Sequence, residues 1–476
     1  MMTATDTPTT APGTQAGFNA TYVWMISAVA AMGGLLFGYD WIVISGTDLF
    51  YEAHFHLTSS LEVGWAKSSA LLGCLIGALV SGALSDRFGR KRLLALSALL
   101  FAVSSAATGL AGSFAVFVLW RIAGGAAIGL ASNLSPMYIA EVAPAPTRGR
   151  LVSLNQFTIV IGILLAQFVN WRIGSLHPLP EQPTADQIAA SWSGQTGWRW
   201  MFGVTAVPSL LFLIGMFFVP ESPRWLAKNG KPDQARGILG KIGGGDYAGA
   251  ALAEIQATLV NESRRVNFRD LLEPKLKRML FLGIALAVLQ QWCGINVIFY
   301  YAKDVFKDSG FKVADILISI VFIGSVNLLA TLVALKTVDR WGRRPLMLFG
   351  YAGLTVLFVV MGLCFALNTH GVHMLVIVLA AIACYAMSLA PITWVLIAEI
   401  FPNRIRGAAM SVAVTALWIA CFVLTETFPI LHERFGAAVT FWIYAAICLF
   451  GFLLFKFKLP ETKGKTLEQI ERELVD

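Results

Sequence analysis

The sequence predicts an all-α membrane protein whose twelve spanning helices form two related bundles of six. Three observations carry that expectation. The 476-residue chain is 57% hydrophobic and only 13% charged, where a soluble protein carries about a quarter charged residues. Its apolar residues fall in runs of ~20, the length at which a helix crosses a bilayer. Three motifs recur in the same order in the two halves of the chain. A closed barrel would instead need shorter strands of alternating polarity.

Residues 1–20 are polar and bring no Lys or Arg to the first apolar run. They lack the basic start of a signal peptide and read as a disordered cytoplasmic tail. Spans are expected at 22–46, 63–84, 93–111, 114–140, 150–170 and 199–219, the first bundle occupying 21–220. The polar segment 221–275 reads as a cytoplasmic linker with short amphipathic helices at 233–241 and 249–258. A second bundle over 276–460 takes spans at 278–301, 314–336, 346–367, 374–399, 407–428 and 438–458, with 461–476 as a tail.

Basic residues cluster in "DRFGRKR" (86–92), "RGR" (148–150) and "DRWGRR" (339–344), while the alternate loops 47–62 and 368–373 carry neither Lys nor Arg. Positive loops face the cytoplasm, so both termini are expected inside. The net charge of +8 then reflects topology rather than nucleic-acid binding.

The repeated motifs are E-x2-P-x3-R-G at Glu141 and Glu399, D-R-x-G-R at Asp86 and Asp339, and P-E-[ST] at Pro220 and Pro460. Stop signals for membrane insertion would explain the basic residues alone. They would not explain the return of Asp86 and Gly89 as Asp339 and Gly342. An Asp can accept bonds from helix N-termini and from Arg. Asp86, Arg90, Glu141, Arg148, Glu221 and Arg224 in one half, with Asp339, Arg343, Glu399 and Arg406 in the other, all fall at cytoplasmic helix ends. They are expected to pair across the bundles as a latch that breaks when the protein opens inward.

Asp40 stands alone in an apolar run, where a carboxylate costs ~2.5–3.5 kcal/mol. At 1.5 Å per residue it lies ~9 Å from the outer end of the first span, and Arg121 lies ~10 Å below the same surface in the fourth. Opposite charges at one depth on two helices make a pair. The pair either ties the helices statically or titrates and carries a proton.

The six cysteines fall within spans and read as small hydrophobes. The six histidines lie in or near outer loops, where chance placement outweighs metal binding at His54-x-His56 or His370-x2-His373. "GKT" at 464–466 has Leu459 where a phosphate loop needs Gly. No catalytic constellation converges, so no enzyme, cofactor or metal is expected.

The sequence resembles the sugar porter family of the major facilitator superfamily over essentially its full length. The resemblance rests on "GGLLFGYDWIVISG", "RIAGGAAIG", "PMYIAEVAP…RG", "PESPRWL", "QQWCGINVIFYY", "WVLIAEIFP…RG" and "PETKGKTLEQIE". It is nearest to bacterial proton-coupled pentose and hexose symporters and is similar to animal glucose facilitators. It implies a sugar site at Gln156, Gln290, Gln291, Asn296, Asn327 and Trp394, with Phe37, Tyr300 and Trp418 at further pocket or gate positions. The chemistry suits a neutral polyol, because a primary amide both donates and accepts. The rival role for Gln290 and Gln291 is interhelical glue, and for the tryptophans interfacial anchoring. Relatives place a sugar-facing amide where Leu417 or Cys421 stands here, leaving a less polar wall. Glu426 reads as a gate charge or an interfacial one. The resemblance also implies that Asp40 and Arg121 couple proton entry to sugar entry, since passive facilitators lack the acid. Sugar, proton and lipid bilayer are the expected partners of a monomeric, multi-pass inner-membrane protein. A passive facilitator is the alternative, followed by a sugar sensor, for which a long cytoplasmic extension would be expected.

Overall fold

A computed structural model describes residues 18–180, 183–262, 273–369, 371–401 and 406–463. The expected tails beyond 18 and 463, the linker segment 263–272, His370, and the side chains of Asp339 and Arg406 lie outside that description.

The first half contains α1 (Ala20–Ile42), α2 (Ser60–Phe88), α3 (Arg90–Gly109), α4 (Phe114–Val142), α5 (Arg148–Gly174) and α6 (Ala206–Phe218). A π-helical turn, Ser193–Gly197, and the short helix Trp198–Gly203 lead into α6. The second half contains α7 (Pro274–Trp292), α8 (Val313–Trp341), α9 (Arg343–Ala366) and α10 (Val372–Met387). Short helices Ile295–Tyr300 and Leu389–Glu399 extend α7 and α10. The last helix, Arg406–Lys458, is broken at Gly436, where φ is +75°. We call its two arms α11 (406–435) and α12 (437–458).

Among the described residues, eleven helical stretches are long and apolar enough to cross a membrane, and the last, Ala408–Lys458, is 51 residues long. The turn at Gly436 makes that stretch two crossings, so the described residues hold twelve. The linker carries Pro223–Lys228 and Pro232–Glu262, the latter kinked at Gly243–Gly244 into the two amphipathic pieces expected from the sequence.

Lipid offers no hydrophobic drive between helices, so small residues set their spacing. Gly73 and Gly77 on α2 face Gly125 and Gly129 on α4. A Cβ at Gly73 would stand 2.0 Å from the Ile122 carbonyl, and one at Gly125 1.9 Å from that of Ala70. Helices α1 and α5 meet the same way at Gly38 and Gly162.

The expected first span runs to residue 46, but α1 stops at Ile42 and a second helix, Ile44–His54, follows through a kink at Ser45–Gly46. The carbonyl freed at Val43 accepts from Asn170 Nδ2 at 2.8 Å and from Thr47 Oγ1 at 3.1 Å, as a helix end requires. This end of the molecule, away from the basic loops, is called the far end below. The end with the basic loops is the basic end.

At the basic end the two halves repeat one joint. Gly89 links α2 to α3 at φ +94°, and Gly342 links α8 to α9 at φ +92°. The Glu221 carboxylate accepts from the backbone of Arg90 (2.9 Å) and Lys91 (3.1 Å). That of Glu461 accepts from Arg343 (3.0 Å) and Arg344 (3.1 Å). A carboxylate satisfies orphan N–H groups at the positive end of a helix. The P-E-[ST] and D-R-x-G-R repeats are therefore two parts of one device.

Candidate substrate and coupling site

Asp40 on α1 and Arg121 on α4 meet at 3.3 Å, each no more than 3% exposed. Arg121 also reaches the Asp40 carbonyl oxygen from both terminal nitrogens, at 3.5 and 3.4 Å. Its guanidinium lies 5.4 Å from the Phe202 ring centre. Gly124 leaves space beside the acid, since a Cβ there would stand 3.3 Å from Asp40 Oδ2 and 3.1 Å from Ser104 Oγ. Asp40 Oδ2 is buried without a hydrogen-bond partner. One carboxylate oxygen is thus held by the arginine, and the other can receive a proton.

Across the interface, α7 is interrupted at Gly294, where φ is +85°. The break sets the last turn of α7 beside the first turn of Ile295–Tyr300 and links their amides. Asn296 Nδ2 donates to Gln291 Oε1, Gln291 Nε2 donates to Gln290 Oε1 at 2.8 Å, and Gln290 Nε2 donates to the Tyr385 hydroxyl. All three amides are buried. Aromatic rings close the space between halves: Phe37 lies 6.2 Å from Trp418, and Trp41 lies 5.3 Å from Tyr300 and 5.7 Å from Phe299, centre to centre.

The remaining expected site residues lie on other helices. Gln156 is half-buried on α5 and Asn327 is buried on α8. Trp394 is 41% exposed, unlike the other rings. Leu417 and Cys421 are both buried on α11, with Cys421 Sγ 3.7 Å from Asn296 Nδ2. Glu426 crosses to the first half, accepting from Ser68 Oγ at 2.5 Å.

Most of the described latch residues have partners near the basic end. Arg90 holds both oxygens of Glu141 at 3.1 Å and also reaches Asp86 at 3.3 Å. Arg343 holds Glu399 at 3.2 Å, whose other oxygen accepts from Thr462 at 2.6 Å. Asp86 takes Lys228 of the linker at 2.9 Å, and Glu221 caps α3. Glu141 and Glu399 are each held by an arginine on a neighbouring helix of their own half, and Asp86 and Glu221 are held between the first half and the linker. Arg148 is exposed at the start of α5, and Arg224 is engaged. The partners of Asp339 and Arg406 fall outside the described side chains.

The sequence reading missed Tyr385, Trp41 and a group of charges at the far end built on Lys67 and Asp48. Lys67 and Asp48 gave the same signal as Asp40: a charge inside or just beyond an apolar run.

A family model described as "Sugar (and other) transporter" matches residues 26–474. The chain belongs to this sugar transporter family. It is 40% identical to the D-xylose-proton symporter of Escherichia coli K12, over 95% of this chain and 96% of that one. It is also 40% identical to the glucose transport protein of a Synechocystis strain, over 97% and 100%. The solved xylose transporter XylE of E. coli, in a partially occluded inward-open conformation, superposes with a TM-score of 0.82 at 38% identity, covering 94% of this chain and 100% of that one. The fold is that of the major facilitator superfamily, and the family is one of transporters rather than enzymes.

Proposed function

We propose that the chain imports a monosaccharide, a pentose or a hexose, together with a proton, by alternating access of a site between its two bundles. The similar proteins named for D-xylose–proton symport and for glucose transport support that substrate class. The observation that carries the coupling is the buried Asp40–Arg121 pair with its unpartnered Oδ2. The amides of Gln290, Gln291 and Asn296, with Gln156 and Asn327, bind hydroxyls. The rings of Phe37, Tyr300 and Trp418 cover the sugar, and Trp394 adds an indole face to it.

In this reading the basic loops and both termini are cytoplasmic and the far end is the outer one. Bodies 21–220 and 276–460 rock about the site, joined by the linker 221–275, and one chain suffices. The likeness to an inward-open structure fits an outer end that is shut.

A passive facilitator is the second reading. It is favoured by the bonds from Arg121 to the Asp40 carbonyl, which would tie two helices whatever the acid's charge. Asp40→Asn separates the two. In proteoliposomes with an imposed proton gradient, the parent accumulates the preferred sugar of a pentose, hexose and polyol panel. The membrane potential adds ~2.3 kcal/mol per charge per 100 mV. The variant loses accumulation but keeps sugar binding and exchange. A folded parent that only equilibrates the sugar would leave the facilitator reading, and gradient-driven accumulation by folded Asp40→Asn would take the acid out of the coupling and leave it a tie between two helices.

A further inference from the structure

Five charged side chains from both halves meet at the far end, some two helical turns or more along the chain from Asp40. Asp48 and Glu52 come from Ile44–His54, Lys67 from α2, and Lys303 and Asp304 from the short helix Ala302–Asp308 that follows α7. Lys67 Nζ stands 2.8 Å from Asp48, 3.7 Å from Glu52 and 3.9 Å from Asp304 of the other half. It also lies 3.9 Å from the centre of the Tyr301 ring. Lys303 bonds Glu52 across the interface and lies 3.7 Å from Asp304. Lys67 and Asp48 are 0% exposed. Around the cluster, Ser68 bonds Glu426 and Ser60 bonds Glu433, both across the interface.

The charges do not balance. Within ion-pair distance three carboxylates share two ammonium groups where the bundles meet, with 15% of the Glu52 side chain and 27% of Asp304 still exposed. Taking an uncompensated charge out of water is unfavourable, so the cluster is short of one positive charge. Glu52 Oε1 is the oxygen that can take it, since it is buried with no hydrogen-bond partner and only the 3.7 Å approach of Lys67 Nζ.

We propose that this cluster is a second protonation site, where closing the outer end takes up one proton on Glu52. The inference rests on the transport and orientation reading above. The proton comes from the outer solution, bonds to Glu52 as the bundles close, and returns to the same solution when they part. It sets how readily the gate shuts and is distinct from the proton carried at Asp40.

The groups facing Glu52 agree. Burial pushes its carboxyl upward, and Asp48 and Asp304 add to that against the downward pull of Lys303 and Lys67. Burial also pushes Asp304 upward, but Lys303, Lys67, His432 and Lys307 outweigh it and hold it below the usual range. His432 is itself taken by Asp308 at 3.0 Å. Lys303 is held above its ordinary range, since its neighbouring carboxylates outweigh its burial. With the gate open, water solvates Glu52 and its affinity for the proton falls. A group whose pKa is higher in the closed state favours closure below its open-state pKa. That preference is lost as the pH rises through its closed-state pKa.

The test uses full-length protein in liposomes, with Cys364 replaced by Ser and spin labels at Leu61→Cys and Val372→Cys, two exposed positions at the far end of opposite halves. Distances are measured without sugar from pH 5 to 8. In the parent the closed population should grow about fivefold or more relative to open as the pH falls, an estimate from one proton-linked group. Glu52→Gln should be largely closed and flat with pH. Lys303→Gln should move the midpoint up by about one pH unit or more, since an opposite charge is lost. Asp40→Asn should keep the parent's response. A flat parent, an unshifted Lys303→Gln, or a response that survives Glu52→Gln and vanishes in Asp40→Asn would overturn the proposal. Uphill sugar uptake measured on the same vesicles reports separately on the transport reading.

Discussion

The two ends of the molecule use the same interactions for opposite purposes. At the far end the charges cross between halves: Lys67 with Asp304, Lys303 with Glu52, Ser68 with Glu426. At the basic end the resolved pairs stay within a half: Arg90 with Glu141, Arg343 with Glu399, and Glu221 and Glu461 on their helix starts. Burial does not follow that division: at the far end Lys67 and Asp48 are fully buried but Asp304 is 27% exposed, and at the basic end Arg90 and Glu141 are 8% and 11% exposed while Asp86 is 52%. The difference in pairing teaches where the free energy of conformational change resides. Bonds that cross between bodies must break when they rock, so they set the population of states. Bonds within one body survive in every state and set its rigidity.

Lys67→Met should break this comparison most. It strands Asp48, and removing one partner of a buried pair costs ~3–5 kcal/mol. The pair lies within one half, so its loss bears on closure through the shielding that the other half provides, and the crossing contact of Lys67 to Asp304 at 3.9 Å is lost with it. The labelled pair Leu61→Cys and Val372→Cys should therefore shift to long distances. Asp48→Asn added to Lys67→Met should recover most of the loss, since the two side chains are coupled. Short distances in the single variant would show that the cluster does not hold the halves together.

Glu221→Gln and Glu461→Gln probe the other end. Each removes a charged acceptor from two backbone N–H groups, and bonds to charged groups contribute ~1.5–3 kcal/mol. Both variants should lower the thermal midpoint in detergent, by similar amounts because the joints are copies. Neither should change the label distances at the far end. A population shift from either would place the basic-end carboxylates in the gating after all.

The partition between ends also marks what the sequence discloses. Span number, repeat and linker helices were legible because a bilayer enforces run length and a duplicated joint repeats its residues. Asp40 and Arg121 were legible from depth along the helix rise alone. The partners of Glu141 and Glu399 were not, since a basic loop's position in the sequence does not say which helix packs beside it. Gln290 pointed to a site, but its bond to Tyr385 depends on where α10 passes the break at Gly294. Lys67 was disclosed and unread: it sits in the apolar run 63–84 as plainly as Asp40 sits in 22–46.

Ser68→Ala makes the smallest and sharpest test of the division. The hydroxyl donates to Glu426 Oε2 at 2.5 Å across the interface. Glu426 is partly exposed, so water can replace the lost donor, and the loss should fall at about 0.5–1.5 kcal/mol. A surface bond of that size within one body would lower the melting temperature slightly and leave the equilibrium between states alone. A bond between bodies should do the reverse. The closed-to-open ratio at the far end should drop by roughly 2- to 10-fold, with the thermal midpoint unchanged within error. Ser153 offers the matched control, since its hydroxyl bonds only Gly149 of its own helix at 2.9 Å near the basic end, and Ser153→Ala should leave the ratio where it was. If the two alanine variants behave alike, the crossing bond at Ser68 is incidental. The closure of the far end then rests on the Lys67 cluster and the aromatic contacts of Phe37 and Trp41.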